Sequence, residues 1–583
     1  MSTSTVESEA VSGRPGEIRA RGRVRAWNWV AIGATVLGFV LLAWQRRWMS
    51  DDGLIVLRTV RQILAGNGPV FNVGERVEAN TSTLWTAVLV LVGWIPGVSL
   101  EWIAVIVGLV FSAGGLFLAL DGARRLAGPA ASTFVFPAGA LVVLALPPFR
   151  DFATSGLETG LISLWLGGTW WLLVRRAIGR PFGPVWSAAV VIGLGPLVRP
   201  DLALFSLVAM AGLLVLPWRG WRHALVPVAA AAVLPVSYQV FRMGYYGLIT
   251  PNTALVKEAS EALWDSGWTY FGDFTDPYLL WIPVAACLLA GFALMWRRSL
   301  NHRVVVLVAV PLVGAVLLAA YVVRVGGDFM HGRMLLPATF CLLLPVMAVR
   351  VTKLTFVPVV AVAVWAVVAG GWLRTPYAGL EEPIDEQEVI ADERAAYVEA
   401  SGTEYPILAR DFRLFVEMTD DAGKQLAARQ VPSIHVSAPS TGWVAYPSAN
   451  GRDVLTYFNI GGPGMLLPLD VWVHDPIGLA NPVAAHTTVI AGRRIGHSKF
   501  AGANWEIADL ATETTETAAA RGQYKQDNLD AIRTTLGCPH NREMLDSVRA
   551  PLTFERFWEN LIHSVGRSRL RYDRNPENAQ TCG

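Results

Sequence analysis

The chain has 583 residues, 53% hydrophobic and 16% charged, with 23 tryptophans and a formal net charge of +2 at pH 7. A mean hydropathy of +0.41 is far above that of ordinary soluble domains, so the chain reads as a polytopic α-helical membrane protein. The near-neutral charge, without a Lys/Arg tract carrying interleaved aromatics, excludes a nucleic-acid partner.

Residues 1–26 are polar and carry five arginines, and the apolar run after them has no small-residue cleavage site before QRRWMSDD. That pattern is an uncleaved signal anchor with a cytoplasmic start. Apolar stretches that could cross a bilayer lie near 27–45, 102–120, 132–148, 157–174, 185–198, 202–217, 224–241, 278–295, 304–323, 334–349 and 354–373. About 11 spans result. Arg124 and Arg125, Arg175, Arg176 and Arg180, Arg219 and Arg222, Arg297, Arg298 and Arg303, and Arg350 with Lys353 then share the inner face with the N-terminus, while Arg46 and Arg47 oppose the rule. This requires the stretch Leu84 to Leu100 to lie along the outer surface, which its Gly93, Pro96, Trp85 and Trp94 suit. Counting it as a twelfth span would invert every later arginine cluster.

The membrane domain is therefore 27–373, and the same parity sends the polar tail 374–583 to the extracytoplasmic side. Strand-like PILAR, SIHVS and TTVIAG alternate there with helical EQEVIADERAAYVEA and FERFWENLIHSV, a mixed α/β pattern. Cys287 and Cys341 fall in apolar runs and read as packing residues, whereas Cys538 and Cys582, alone in the tail, suit a disulfide in an oxidising space. The tail aromatics Trp443, Tyr446, Tyr457, Trp472 and Trp505 read as core first and as sugar-stacking surfaces second.

The outward loops collect polar residues that helix flanking does not explain. The first opens SDDGLIVLRTVRQILAGNGPVF, with Asp51 and Asp52 adjacent; later ones hold RDFATSGLETG with Glu158, RPD with Arg199 and Asp201, PNTALVKEA with Asn252 and Lys257, and RVGGDFMHGR with Arg324, Asp328, His331 and Arg333. Carboxylates, arginines and a lysine at a membrane rim suit a charged, lipid-borne substrate. Plainer readings stand beside this one. Ser50 or Asp51 could be only the cap of a helix from Gly53 to Leu64, SGLETG a Ser-capped helix start with Glu158 in its first turn, Lys257 a snorkelling side chain, and Arg199 with Asp201 a self-paired turn.

The string SDDGLIVLRTVRQILAGNGPVFNVGERVEANTSTLW, with ATSGLETG, YGLITPNTALVK and GGDFMHGRMLLP, resembles the GT-C glycosyltransferases and, within them, the terminal arabinofuranosyltransferases of the AftB type. The likeness covers the membrane domain and more weakly the tail through VHDPIGLANPVAAHT. It implies a GT-C fold, a decaprenyl-phosphoryl arabinofuranose donor, and an arabinan acceptor in arabinogalactan and lipoarabinomannan. It also implies β(1→2) transfer with net retention.

Such a donor loses a phosphate, which needs cations rather than a strong acid, and Lys257, Arg324, His331 and Arg333 supply them. Asp51, Asp52 and Glu158 are the candidate base or nucleophile, and Arg199, Asp201, Asn252 and Asp328 the candidates for holding substrate. Oxygen ligands from Asp51, Asp52 and Glu158 would also suit a hard divalent cation, although no dedicated loop motif accompanies them. A transferase for another prenyl-phosphate sugar, such as mannose, fits the same loops. A lipid-linked saccharide transporter fits less well, because it would place ionisable groups mid-span.

Overall fold

The computed structural model describes residues 15–127, 134–216, 220, 222–258, 262–296, 301–373, 390–428, 431–438, 442–490, 496–512, 526–575 and 578. Helices dominate up to residue 373, and a mixed sheet with helices follows in the tail. Among the described residues, four helices are long and apolar enough to cross a bilayer: Gly22–Trp44, Leu100–Leu126, Arg222–Tyr246 and His302–Arg324. The helices Val185–Val198, Pro200–Val215, Trp281–Ala293, Arg333–Val346 and Phe356–Gly371 are apolar but shorter. The stretch 132–148 differs from a continuous span. Its described part is strand β1 (Val135–Phe136) and the short helices Ala138–Ala145 and Pro147–Asp151, with β1 paired antiparallel to β2 (Val349–Arg350). Prolines 137, 147 and 148 interrupt the helical ladder there.

Close packing in this part rests on small residues. Helix Leu100–Leu126 lies against helix Thr159–Ala177 through glycines: a Cβ on Gly160 would sit 2.2 Å from the Gly108 carbonyl, and one on Gly167 2.4 Å from the Gly115 carbonyl. Two helical backbones approach this closely only where the side chain is absent.

The stretch Leu84 to Leu100 forms helix Thr83–Gly93, ended at Gly93 rather than running on. Trp94, Ile95 and Val98 after it are exposed, whereas Trp85 is buried. Its indole N–H donates to the Gly156 carbonyl at 2.8 Å, so Trp85 packs inward instead of anchoring at an interface.

In the tail, β3 (Ser433–Ala438), β4 (Gly442–Pro447), β5 (Val454–Thr456) and β6 (Trp472–His474) form one sheet in the order β4-β3-β5-β6. β3 and β4 are an antiparallel hairpin, while β3–β5 and β5–β6 are parallel. SIHVS is indeed a strand and FERFWENLIHSV lies in helix Phe554–Arg569. Residues 386–389 of EQEVIADERAAYVEA lie outside the described residues, and helix Glu393–Ser401 covers most of the rest. PILAR is not a strand: Asp411 accepts from the Ile407 and Leu408 N–H groups and turns the chain into a short 3-10 helix. TTVIAG also fails as a strand, its described residues making only a bridge from Thr487 to Tyr572. Tyr446, Trp472 and Trp505 are core residues, and Trp443 and Tyr457 are half-buried. Cys287 and Cys341 are buried free thiols; Cys538 is disulfide-bonded, and its expected partner, Cys582, lies outside the described residues. Arg219, Arg297 and Arg298 are likewise outside them.

Besides the membrane-side core and the tail core, a third apolar cluster joins the two parts. Ile55, Phe71 and Ala79 of the first loop pack with Ala422, Leu455, Ile460, Leu467, Val471, Val473 and Ala480 of the tail. The tail is thus seated directly on the first loop.

Candidate active site

Helix Asp51–Leu64 begins where the unusual acid pair lies, and Ser50 alone caps it, its Oγ accepting from the Gly53 N–H at 3.0 Å. The two carboxylates are therefore left over from capping, and adjacent positions on a helix point about 100° apart, so they diverge. Asp51 turns to the tail. It accepts from the Gly462 N–H at 2.8 Å and the Gly461 N–H at 3.2 Å, and it is buried. Asp52 turns instead to Arg333, whose guanidinium donates to it at 3.1 Å, and its side chain keeps 30% exposure.

Arg333 leads into a cluster drawn from five loops. Its Nε lies 3.5 Å from Asp328, which is fully buried and also lies 3.4 Å from the Lys257 ammonium. Those two cations hold the Asp328 carboxyl below the usual range against the opposing effect of burial. Beside them, Arg199 pairs with Asp201 at 2.6 Å and lies 3.7 Å from Glu158. Lys257, its side chain 32% exposed, is the open cation of the set. Asp52, Arg333, Asp328 and Lys257 form one chain of ion pairs and Asp201, Arg199 and Glu158 a second, and the charges of Glu158 and Arg199 act on Arg333, so the seven make one charge network.

Local backbone explains the placement. Gly332 adopts φ +66, and a Cβ there would also meet the Phe274 ring at 2.5 Å, so only glycine can turn the chain just before Arg333. Glu158 occupies the N-cap position of helix Thr159–Ala177 without making a side-chain cap bond, so it is not in the first turn and its carboxylate is left for Arg199. The self-paired turn at Arg199 and Asp201 is real, but it does not use up Arg199.

The remaining candidates lie to the side. His331 is held between Asp273, 2.6 Å from Nδ1, and the Tyr278 hydroxyl, 3.0 Å from Nε2. Arg324 caps the far side of the loop, its carbonyl accepting from the Leu263 N–H. Asn252 donates to the Gly478 carbonyl at 2.5 Å and so ties its loop to the tail. Among the described residues no group of three or more His, Cys, Asp or Glu side chains is arranged to hold a metal ion. The donor set Asp51, Asp52 and Glu158 does not converge, since one faces the tail, one Arg333 and one Arg199.

The loop sequences alone did not point to the tail residues that wall this network. Gly461 and Gly462 bind Asp51, a Cβ on Gly496 would lie 3.5 Å from the Lys257 side chain, and His497 packs between Phe329 and Phe458. The run GGPG at 461–464 was the available signal, because three glycines in four residues mark a close approach of backbone.

Burial, with Asp52 nearby, pushes the Asp51 carboxyl up to about 7, against the opposing hydrogen bonds from Gly462, Gly461 and Asn459. An acid whose folded pKa is raised contributes stability that is fully present below its unfolded value of 3.8 and is lost as pH rises through the folded one. Between pH 4 and 7 the wild-type protein is therefore expected to lose up to about 4 kcal/mol from this group. Thermal unfolding in detergent across that range should show a falling midpoint that flattens in Asp51→Asn; equal slopes in both proteins would contradict it. Gly461→Ala tests the same contact sterically, since its Cβ would sit 2.1 Å from the Asp51 carbonyl oxygen and 2.7 Å from Oδ1. We expect a loss of about 3 kcal/mol and faster proteolysis of the tail.

Residues 409–581 match the AftB family C-terminal domain. The terminal β(1→2)-arabinofuranosyltransferase of Mycobacterium tuberculosis is 39% identical over 608 aligned positions, covering 95% of this chain and 96% of that protein. The terminal β(1→2)-arabinofuranosyltransferase of Corynebacterium glutamicum is 36% identical over 591 positions, covering 92% of this chain and 84% of that protein. No solved structure gives a significant match. Similarity of this extent, spanning both the membrane part with its charged rim and the tail seated on it, means that the chain belongs to the terminal β(1→2)-arabinofuranosyltransferase family of membrane glycosyltransferases.

Proposed function

We propose that the protein transfers arabinofuranose from decaprenyl-phosphoryl arabinofuranose to the ends of cell-wall arabinan, in arabinogalactan and lipoarabinomannan, forming β(1→2) linkages. The membrane part, residues 27–373, has the GT-C architecture with eleven crossings, and the network and the tail 374–583 face the extracytoplasmic side. The observation that carries this reading is the pairing of a half-open carboxylate, Asp52, with Arg333, which shares the buried Asp328 with the half-open Lys257.

Lys257 and Arg333 hold the donor phosphate and stabilise the charge it gains on leaving. Arg324 and His331 support that loop, with His331 kept in register by Asp273 and Tyr278. Glu158, Arg199 and Asp201 flank the sugar, and Asn252 secures the wall made with the tail. Asp51 is a positioning residue, because its oxygens are occupied by the tail backbone.

Asp52 lies on the phosphate-binding side, at 3.1 Å from Arg333. A nucleophilic carboxylate in a double displacement must approach from the face opposite the leaving group. The geometry therefore favours a single-face route. The acceptor oxygen bonds to the anomeric carbon as the bond from that carbon to the phosphate oxygen breaks, and the acceptor proton passes to Asp52 and on to the departing phosphate. No step in this route draws on a metal ion.

The test is sugar transfer by the purified full-length protein in detergent, with decaprenyl-phosphoryl arabinofuranose and prenyl-phosphoryl mannose offered separately on a synthetic arabinan acceptor. Arabinose transfer alone supports the reading, whereas mannose transfer alone replaces the donor. A glycosyl–enzyme adduct seen by intact mass spectrometry with a slow 2-fluoro donor would overturn the single-face route.

A further inference from the structure

Helix Phe554–Arg569 is amphipathic in the wrong sense for a soluble domain. Its buried face is polar or small: Asn560, Ser564, Arg567 and Ser568 are buried there. Asn560 donates to the Gly244 carbonyl at 3.1 Å, and Arg567 donates to the Gly247 carbonyl at 3.4 Å. Along its exposed side runs an apolar stripe, with Glu555 and His563 exposed beside it. Phe554 is 79% exposed, Trp558 47%, Ile562 67% and Val565 43%, and the spacing of four, four and three residues puts them on one stripe. A helix surrounded by water would present the opposite arrangement, since a contiguous exposed apolar stripe costs free energy in proportion to its area.

What covers the stripe follows from what the helix is packed on. Gly244 is in the last turns of helix Arg222–Tyr246, and a Cβ there would meet the Phe557 ring at 2.2 Å, so that ring packs directly on the Gly244 backbone. Helix Arg222–Tyr246 is one of the four bilayer-length helices, and only 6% of its apolar window is buried, with Val233, Leu234, Val236 and Val240 exposed. On the reading that this helix crosses the bilayer, its surroundings are lipid. The stripe begins where that lipid-facing surface ends, and Arg569, on the same side of the helix, is exposed where a guanidinium reaches headgroup phosphates.

We propose that Phe554–Arg569 lies in the outer headgroup layer of the bilayer with Phe554, Trp558, Ile562 and Val565 inserted, so that the tail is held at the membrane surface by its own interfacial helix. This rests on the reading that helix Arg222–Tyr246 crosses the membrane with its C-terminal end outside. The consequence for function is geometric. Held at the surface, the tail keeps Gly461 and Gly496 over the network at the depth where a prenyl-linked sugar emerges.

The experiment uses the full-length protein carrying Cys287→Ala and Cys341→Ala in phosphatidylglycerol–phosphatidylethanolamine nanodiscs, with a single nitroxide on Ile562→Cys. A nitroxide on Val236→Cys serves as the bilayer control and one on Val431→Cys, 60% exposed in the tail, as the aqueous control. Collision with oxygen should exceed collision with a water-soluble nickel chelate at Ile562, as at Val236, and the ratio should invert at Val431. Nickel-dominated collisions at Ile562 with lipid-like behaviour at Val236 would overturn the proposal alone. Nickel-dominated collisions at Val236 would overturn the membrane reading beneath it. Dipolar broadening between labels at Ile562 would also overturn it, because the stripe would then cover a second copy of the chain.

Discussion

Asp52→Asn is expected to lower arabinose transfer by about 10²–10⁴-fold, with little change in donor affinity, while Asp51→Asn keeps most of the turnover. The two side chains are adjacent in the chain and differ only in what they face. Asp52 keeps 30% exposure and one cation partner, so a substrate hydroxyl can reach it, and the amide cannot take the proton. Asp51 is buried and occupied by the Gly461 and Gly462 N–H groups, and an asparagine oxygen can still accept one of them. Initial rates on a synthetic acceptor, measured alongside donor binding, decide it. A larger loss in Asp51→Asn than in Asp52→Asn, in proteins of equal unfolding midpoint, would exchange the roles. Arg333→Lys gives an internal comparison, because a lysine keeps the charge but cannot span Asp52 and Asp328 together.

The second large effect is expected far from the chemistry. Arg58 is fully buried on helix Asp51–Leu64, and its guanidinium donates to six main-chain carbonyls: Phe71, Gly464, Leu467, Pro468, Leu469 and Val471, at 2.8–3.3 Å. Burial, with Arg61 nearby, lowers it to about 9, which still leaves it charged at neutral pH. Five of those carbonyls belong to the tail, so one side chain organises the 464–471 segment against the first loop. Arg58→Ala removes the donors, leaves the carbonyls unpaired in an apolar surround, and opens a cavity beside Phe71; a destabilisation of about 3–5 kcal/mol follows. The readout is a lowered unfolding midpoint together with protease cleavage in the tail. Transfer should fall as well, because Gly461 and Gly462 lose their seat on Asp51. An unchanged midpoint and an intact tail would show that the apolar cluster of Ile55, Phe71 and Ala79, with the Asp51 and Asn252 contacts, holds the two parts together without Arg58.

Local chemistry in the sequence was enough to announce much of this protein. Most hydropathy runs marked helices, 132–148 being broken by its prolines, the loops between them carried the charged candidates, and the SDD string with GGDFMHGR carried the family likeness, because these are properties of neighbouring residues. Strand placement in the tail was less legible: PILAR has strand-forming residues, yet Asp411 captures its N–H groups and bends it into a 3-10 turn, an outcome set by one side-chain contact rather than by propensity. Trp85 was misplaced for a related reason, since an indole suits an interface or a core equally well until its N–H finds a carbonyl.

What only the tertiary structure decided is the division of labour between Asp51 and Asp52. In the sequence they are interchangeable carboxylates after a capping serine. In the fold, Asp52 meets an arginine 281 positions away and Asp51 meets a glycine 410 positions away, and neither separation leaves a periodic trace. A carboxylate's role depends on its exposure and on the charges around it, which exist only once distant segments have come together. Composition and local pattern therefore determined that this is a membrane protein with charged loops between its apolar helices, while packing across hundreds of residues decided which acid stays open beside Arg333 and which one holds the tail in place.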